Sequence, residues 1–176
     1  MTVKLQIPKV GMRTVKTAVA VMICFFIFLP FWLRVPLGEY DPLRNVGPFY
    51  ACIAAVICMQ SSVEQSVRQG VSRVIGTILG GGVGICILAI DDLVHHPVIT
   101  GLLMGAGIIL TLWLCNLIKR PAACSIGCVV LCVVMLNHGG KDRYLYTLFR
   151  VLETIIGIVV AVLVNHLLPD LRKKQE

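Results

Sequence analysis

Two stretches of this chain carry nearly the same word. Arg73–Gly80 reads R-V-I-G-T-I-L-G and Arg150–Gly157 reads R-V-L-E-T-I-I-G, in register at an offset of 77. Each puts a guanidinium at the head of an apolar run, and the second adds a carboxylate, Glu153, three residues on. Arginine and lysine hold carboxylates through charge-assisted hydrogen bonds. Charge beside a greasy run is costly unless it faces water or a partner. Arg150 and Glu153 therefore read either as an interfacial i, i+3 ion pair or as an outer gate. Arg13, Lys16, Arg68 and Arg73 form a basic cluster at the other mouth, with one acid, Glu64, placed i, i+4 to Arg68. Such a cluster can raise the local anion concentration as a funnel. It can equally be a set of snorkelling anchors that fix topology.

Other chemistry is poorly served. All eight cysteines lie in apolar runs, which indicates no disulfide framework. Cys124, Cys128 and Cys132 make a one-faced stripe that cannot close a tetrahedral metal shell. The apolar runs carry no HExxH, no paired aspartates and no Ser/His/Asp set, and there is no Walker sequence. The expectation is a protein that is not an enzyme and takes no cofactor or metal.

These residues must be positioned by elements suited to lipid. Of 176 residues, 57% are hydrophobic and 14% charged, and the mean hydropathy is +0.89. Soluble domains run nearer about 45–50% apolar and about 25% charged. Uncharged stretches cover 17–33, 45–63, 74–90, 93–118, 121–140 and 154–169. A spanning helix needs roughly 20 apolar residues, so the reading is an all-α polytopic membrane protein with six spans. Their approximate bounds are 13–33, 46–60, 61–90, 97–118, 121–137 and 146–168. Ser61 with Glu64 suggests a capping box at the start of the third. D-D-L-V-H-H-P and N-H-G-G-K-D-R read as outer loops, and K-R-P at 119–121 as a tight turn.

Eleven of the 16 basic residues fall on one side if both ends lie inside. The positive-inside rule then places the lead-in 1–12, with an interfacial helix after Pro8, and the tail 169–176 in the cytoplasm of a cell with a plasma or inner membrane. The net charge of +7 is a topology signal and gives no reason to expect nucleic-acid binding.

The repeated word has company. P-F-Y-A-C (48–52) and P-A-A-C (121–124) also correspond, one helix earlier. Two three-helix units follow, and an odd number of spans inverts the second copy. Inverted repeats are common in transporters, with the substrate path at the repeat interface. Gly76, Gly80 and Gly84 recur every four residues and suit close helix packing.

R-T-V-K-T-A-V-A-V (13–21), P-F-Y-A-C-I-A-A-V-I-C-M-Q (48–60) and R-V-I-G-T-I-L-G-G (73–81) resemble the FUSC or aromatic acid exporter family of bacteria, and Val164–Asn165 fits too. The resemblance implies six-helix membrane units assigned to efflux of aromatic carboxylates and other organic acids. That family is similar to the plant aluminium-activated malate channels, whose six-helix subunits pair around an anion path. The sequence ends soon after the sixth span, which leads us to expect a homo-oligomer, most simply a dimer. The rival expectation is a structural or regulatory membrane protein without transport.

Overall fold

The computed structural model describes residues 11–34, 47–94, 96–136 and 142–168. The lead-in helix after Pro8, most of the first outer loop, His95, the loop 137–141 and the tail from 169 lie outside the described residues. Six helices follow in order: α1 (Met12–Arg34), α2 (Pro48–Cys58), α3 (Val63–Val94), α4 (Pro97–Leu117), α5 (Pro121–Leu136) and α6 (Asp142–Leu167).

Four of them, α1, α3, α4 and α6, are long and apolar enough to cross a membrane. The other two are shorter, α2 with 11 residues and α5 with 16. At 1.5 Å per residue they measure about 16 and about 24 Å, less than the hydrocarbon core of about 30 Å.

Local chemistry sets the ends. Pro48 and Pro97 stand in the first turns of α2 and α4, where a missing N–H costs nothing. α2 stops because Met59 turns extended, and Ser66 Oγ accepts the Gln60 N–H at 3.1 Å. The cap of α3 falls one residue later than Ser61 and Glu64. Ser62 Oγ accepts the Gln65 N–H at 3.2 Å, and Ser61 Oγ donates to Gln65 Oε1 at 2.7 Å. Serine and an acceptor recur one place along, so both spacings satisfy the capping-box pattern. α3 also runs on through Asp91–Val94, which the sequence had suggested as loop.

The K-R-P turn closes as a Schellman motif. Lys119 takes the left-handed conformation at φ 57, its N–H reaching the Asn116 carbonyl at 2.9 Å and that of Arg120 the Cys115 carbonyl at 3.1 Å.

The packing has two cores. Ala20, Cys24 and Phe28 of α1 meet Ala51, Ala55 and Cys58 of α2 and Val160, Ala161 and Val164 of α6. Val83, Ile87 and Leu88 of α3 meet Leu131, Val134 and Met135 of α5, with Leu103, Met104 and Ile108 of α4 against them. Thus α6 joins the first two helices and α3 joins the fourth and fifth. α3 and α6 lie side by side between the cores, whereas the backbones of α2 and α5 do not approach closely among the described residues.

Small residues make this possible. With lipid tails as apolar as leucine, helix association depends on close van der Waals fit. A Cβ at Gly80 would run into the Gly127 carbonyl of α5, and one at Gly157 into the Ala51 carbonyl of α2. Gly76 also faces α5, where a Cβ would lie 2.6 Å from the Ala123 carbonyl, and at Gly84 it would lie 3.2 Å from Val134.

Candidate functional site

The gap between α2 and α5, floored by α3 and α6, is a cavity of about 290 Å³. Tyr50, Ile53 and Ile57 line it from α2, and Ser125, Ile126, Val129, Val130 and Val133 from α5. α3 contributes Arg73 and Thr77, and α6 contributes Arg150 and Thr154. These four are the first and fifth letters of the two repeated words. Both arginines thus line one largely apolar chamber, each on one of the long helices.

The two arginines are held differently. The Arg150 Cζ lies 3.6 Å from the centroid of the Tyr50 ring, and its Nη1 lies 3.1 Å from Glu153 Oε2. Glu153 is 1% exposed, and its Oε1 accepts the Gly47 N–H at 3.0 Å. That carboxylate therefore sits at the N-terminus of α2, where the helix dipole favours negative charge. A single side chain ties α6 to the start of α2 and aims Arg150 across the Tyr50 face.

Arg73 is 7% exposed, and its Nε has no hydrogen-bond partner among the described residues. No carboxylate among those residues comes within ion-pair distance of it. One turn on, the Thr77 hydroxyl donates to the Arg73 carbonyl at 2.8 Å.

The remaining basic candidates lie elsewhere. Lys16 is 3% exposed, with Nζ donating to Asn165 Oδ1 at 3.0 Å. Asn165 Nδ2 donates in turn to Ser66 Oγ at 2.9 Å and to the Gln60 carbonyl at 3.1 Å. Arg13 Nε donates to the Met59 carbonyl at 3.0 Å. These bonds tie α1 and α6 to the α2–α3 connection, outside the cavity lining. Arg68 and Glu64 are exposed, and no ion pair joins them among the described residues.

Sequence reasoning missed Tyr50, Thr77, Ser125 and Thr154 as lining groups. The threonines carried a signal, since each stands four residues after its arginine in the repeated word. Asn165 stood out only through the family resemblance, and its bond to Lys16, 149 positions away, had no local signal.

Known proteins supply an independent comparison. Residues 25–164 match a family described as fusaric acid resistance protein-like. Curated relatives include the UPF0421 protein YgaE of Bacillus subtilis, 24% identical over 89% of this chain and 39% of the relative. A UPF0421 protein of Staphylococcus epidermidis is 24% identical over 90% of this chain and 43% of its own length. Another, from Staphylococcus haemolyticus, is 23% identical over 90% of this chain and 42% of its own. The chain thus spans about two-fifths of the length of the curated relatives it matches. No solved structure matches.

Proposed function

Because the chain belongs to the fusaric acid resistance protein-like family, we propose that it moves organic anions across a membrane through the α2–α5 cavity. The cargo is an aromatic or other carboxylate and the direction is efflux. No chemistry is done on it, so the chain is not an enzyme. The observation that carries this reading is the convergence of Arg73 and Arg150 on one largely apolar chamber. A carboxylate has a cation to dock on, and its apolar body has Ile53, Ile57, Val129 and Val133 to lie against. Two unit charges 4 Å apart attract by about 4 kcal/mol at an effective dielectric constant of about 20. That is enough to offset much of the loss of hydration, and it leaves release feasible.

We further propose that the two halves are inverted copies. Exchanging α1 with α4, α2 with α5 and α3 with α6 maps each helix contact onto another that exists. The exchange also carries the Gly80 approach to α5 onto the Gly157 approach to α2. The two short helices, α2 and α5, then hold corresponding places. A pair of short segments at equivalent positions points to a binding site between repeats.

The cavity is open on the side flanked by Ile57, Ser125 and Val129, all exposed. A second copy apposed there would close it into a path, which favours a dimer. Both ends are assigned to the cytoplasm of a plasma or inner membrane, on the distribution of lysine and arginine.

Flux of benzoate and of an aliphatic carboxylate, measured in liposomes with and without the purified chain, tests this reading. Protein-dependent movement of either anion supports it. No movement of either would leave a structural membrane protein as the better description.

A further inference from the structure

We infer that Glu153 sets the charge of the cargo. It neutralises Arg150, leaves Arg73 to dock a single carboxylate, and so selects singly charged organic anions over dianions. The inference rests on the cavity being an organic-anion path.

The repeated words differ in chemical character at a single position. Their fourth letters are Gly76 and Glu153. Position 76 has no room for an acid, because a Cβ there would lie 2.6 Å from the Ala123 carbonyl and 3.0 Å from the Ile126 Cβ. Position 153 has both room and partners: the Gly47 N–H at 3.0 Å and Arg150 Nη1 at 3.1 Å. Two equivalent arginines alone would give the site a charge of two. The internal carboxylate occupies Arg150 from behind, since Glu153 itself does not line the cavity.

Arg73 keeps its charge for the chamber, with no carboxylate among the described residues at ion-pair distance and its Nε without a hydrogen-bond partner. A monocarboxylate on Arg73 offsets the charge of that guanidinium. A dianion must bury its second carboxylate next to an arginine that already holds Glu153. That juxtaposes two like charges across a low-dielectric wall, an arrangement that strongly disfavours the wrong partner.

The test uses two probes that share a ring and differ by one charge, benzoate and terephthalate. Flux is measured in liposomes containing the full chain and normalised to incorporated protein. The parent should move benzoate at least about tenfold faster, equivalent to about 1.4 kcal/mol of discrimination. Glu153→Gln keeps the size and an oxygen for the Gly47 N–H. It raises the charge of the site by one, whatever else Arg150 touches, so the ratio should move about tenfold toward terephthalate.

Ser125→Lys adds a positive charge to the exposed cavity wall without touching the ion pair. It should shift the ratio the same way, and it keeps the test decisive if Glu153→Gln does not assemble. Transport with an unchanged ratio in Glu153→Gln or, failing its assembly, in Ser125→Lys overturns the inference while leaving the transport reading intact. A parent that moves neither probe overturns the transport reading and this inference with it.

Discussion

Replacing Asn165 with leucine should destabilise the bundle strongly, although the residue lies outside the cavity lining. Asn165 is 3% exposed and makes three long-range hydrogen bonds, with Lys16 of α1, Ser66 of α3 and the Gln60 carbonyl in the α2–α3 connection. Neutral interhelical bonds in membranes average about 0.6 kcal/mol each, so the two amide donations contribute about 1.2 kcal/mol. A bond to a charged group is worth about 1.5–3 kcal/mol, and a buried group left unsatisfied costs the full desolvation penalty. Lys16, at 3% exposure, makes a further interaction, so the lower end applies and the total is about 3 kcal/mol. The assay is equilibrium unfolding in mixed micelles with increasing denaturing detergent. A second variant isolates the lysine. Lys16→Met combined with Asn165→Leu removes the buried cation with its partner, and should recover about half of the loss. If Asn165→Leu unfolds within about 0.5 kcal/mol of the parent, or the double variant shows simple additivity, the network does not hold these helices together.

Gly80→Leu should cost at least about 1–2 kcal/mol by overpacking against the Gly127 carbonyl, whereas Gly101→Leu, at a position with nothing within 4 Å, should unfold like the parent. Equal stability of the two variants would mean that α3 and α5 do not approach closely. A cysteine introduced at His96 should react with an impermeant thiol reagent added outside intact cells, and one introduced at Gln175 should not. Labelling of Gln175→Cys from outside would reverse the assigned orientation.

The helices were legible because lipid leaves few alternatives. Backbone groups must be satisfied within the segment, so uncharged runs between charges translate directly into α1, α3, α4 and α6. The uncharged run 45–63 alone would have made α2 longer, and the capping-box serine at 61 is what placed its end near Gln60, two residues past the observed Cys58. What ends α2 there includes the Ser66 hydroxyl, which takes the Gln60 N–H from six residues on. The two arginines stood out through their repeated word. Their sharing of one chamber did not, because it depends on α6 joining the first core and α3 the second. That exchange is a long-range property with no local spacing to announce it. The inner cluster illustrates the same limit. Arg13, Lys16, Arg68 and Arg73 look alike as charges near helix ends, yet one lines the cavity, two bond α1 to the rest of the bundle and one faces outward.

The burial of Arg73 also changes what salt should do. A funnel of exposed charges would fade as ionic strength rises, since the Debye length is about 8 Å at physiological salt, while buried pairs are screened much less. Benzoate flux through Arg73→Gln, normalised to incorporated protein and measured at low and high ionic strength, therefore tests the central claim most directly. Loss of one charge-assisted contact worth about 1.5–3 kcal/mol predicts a fall of about tenfold or more at both salt concentrations. Normalised flux equal to the parent's would contradict the account, and would leave Arg73 as a topology anchor.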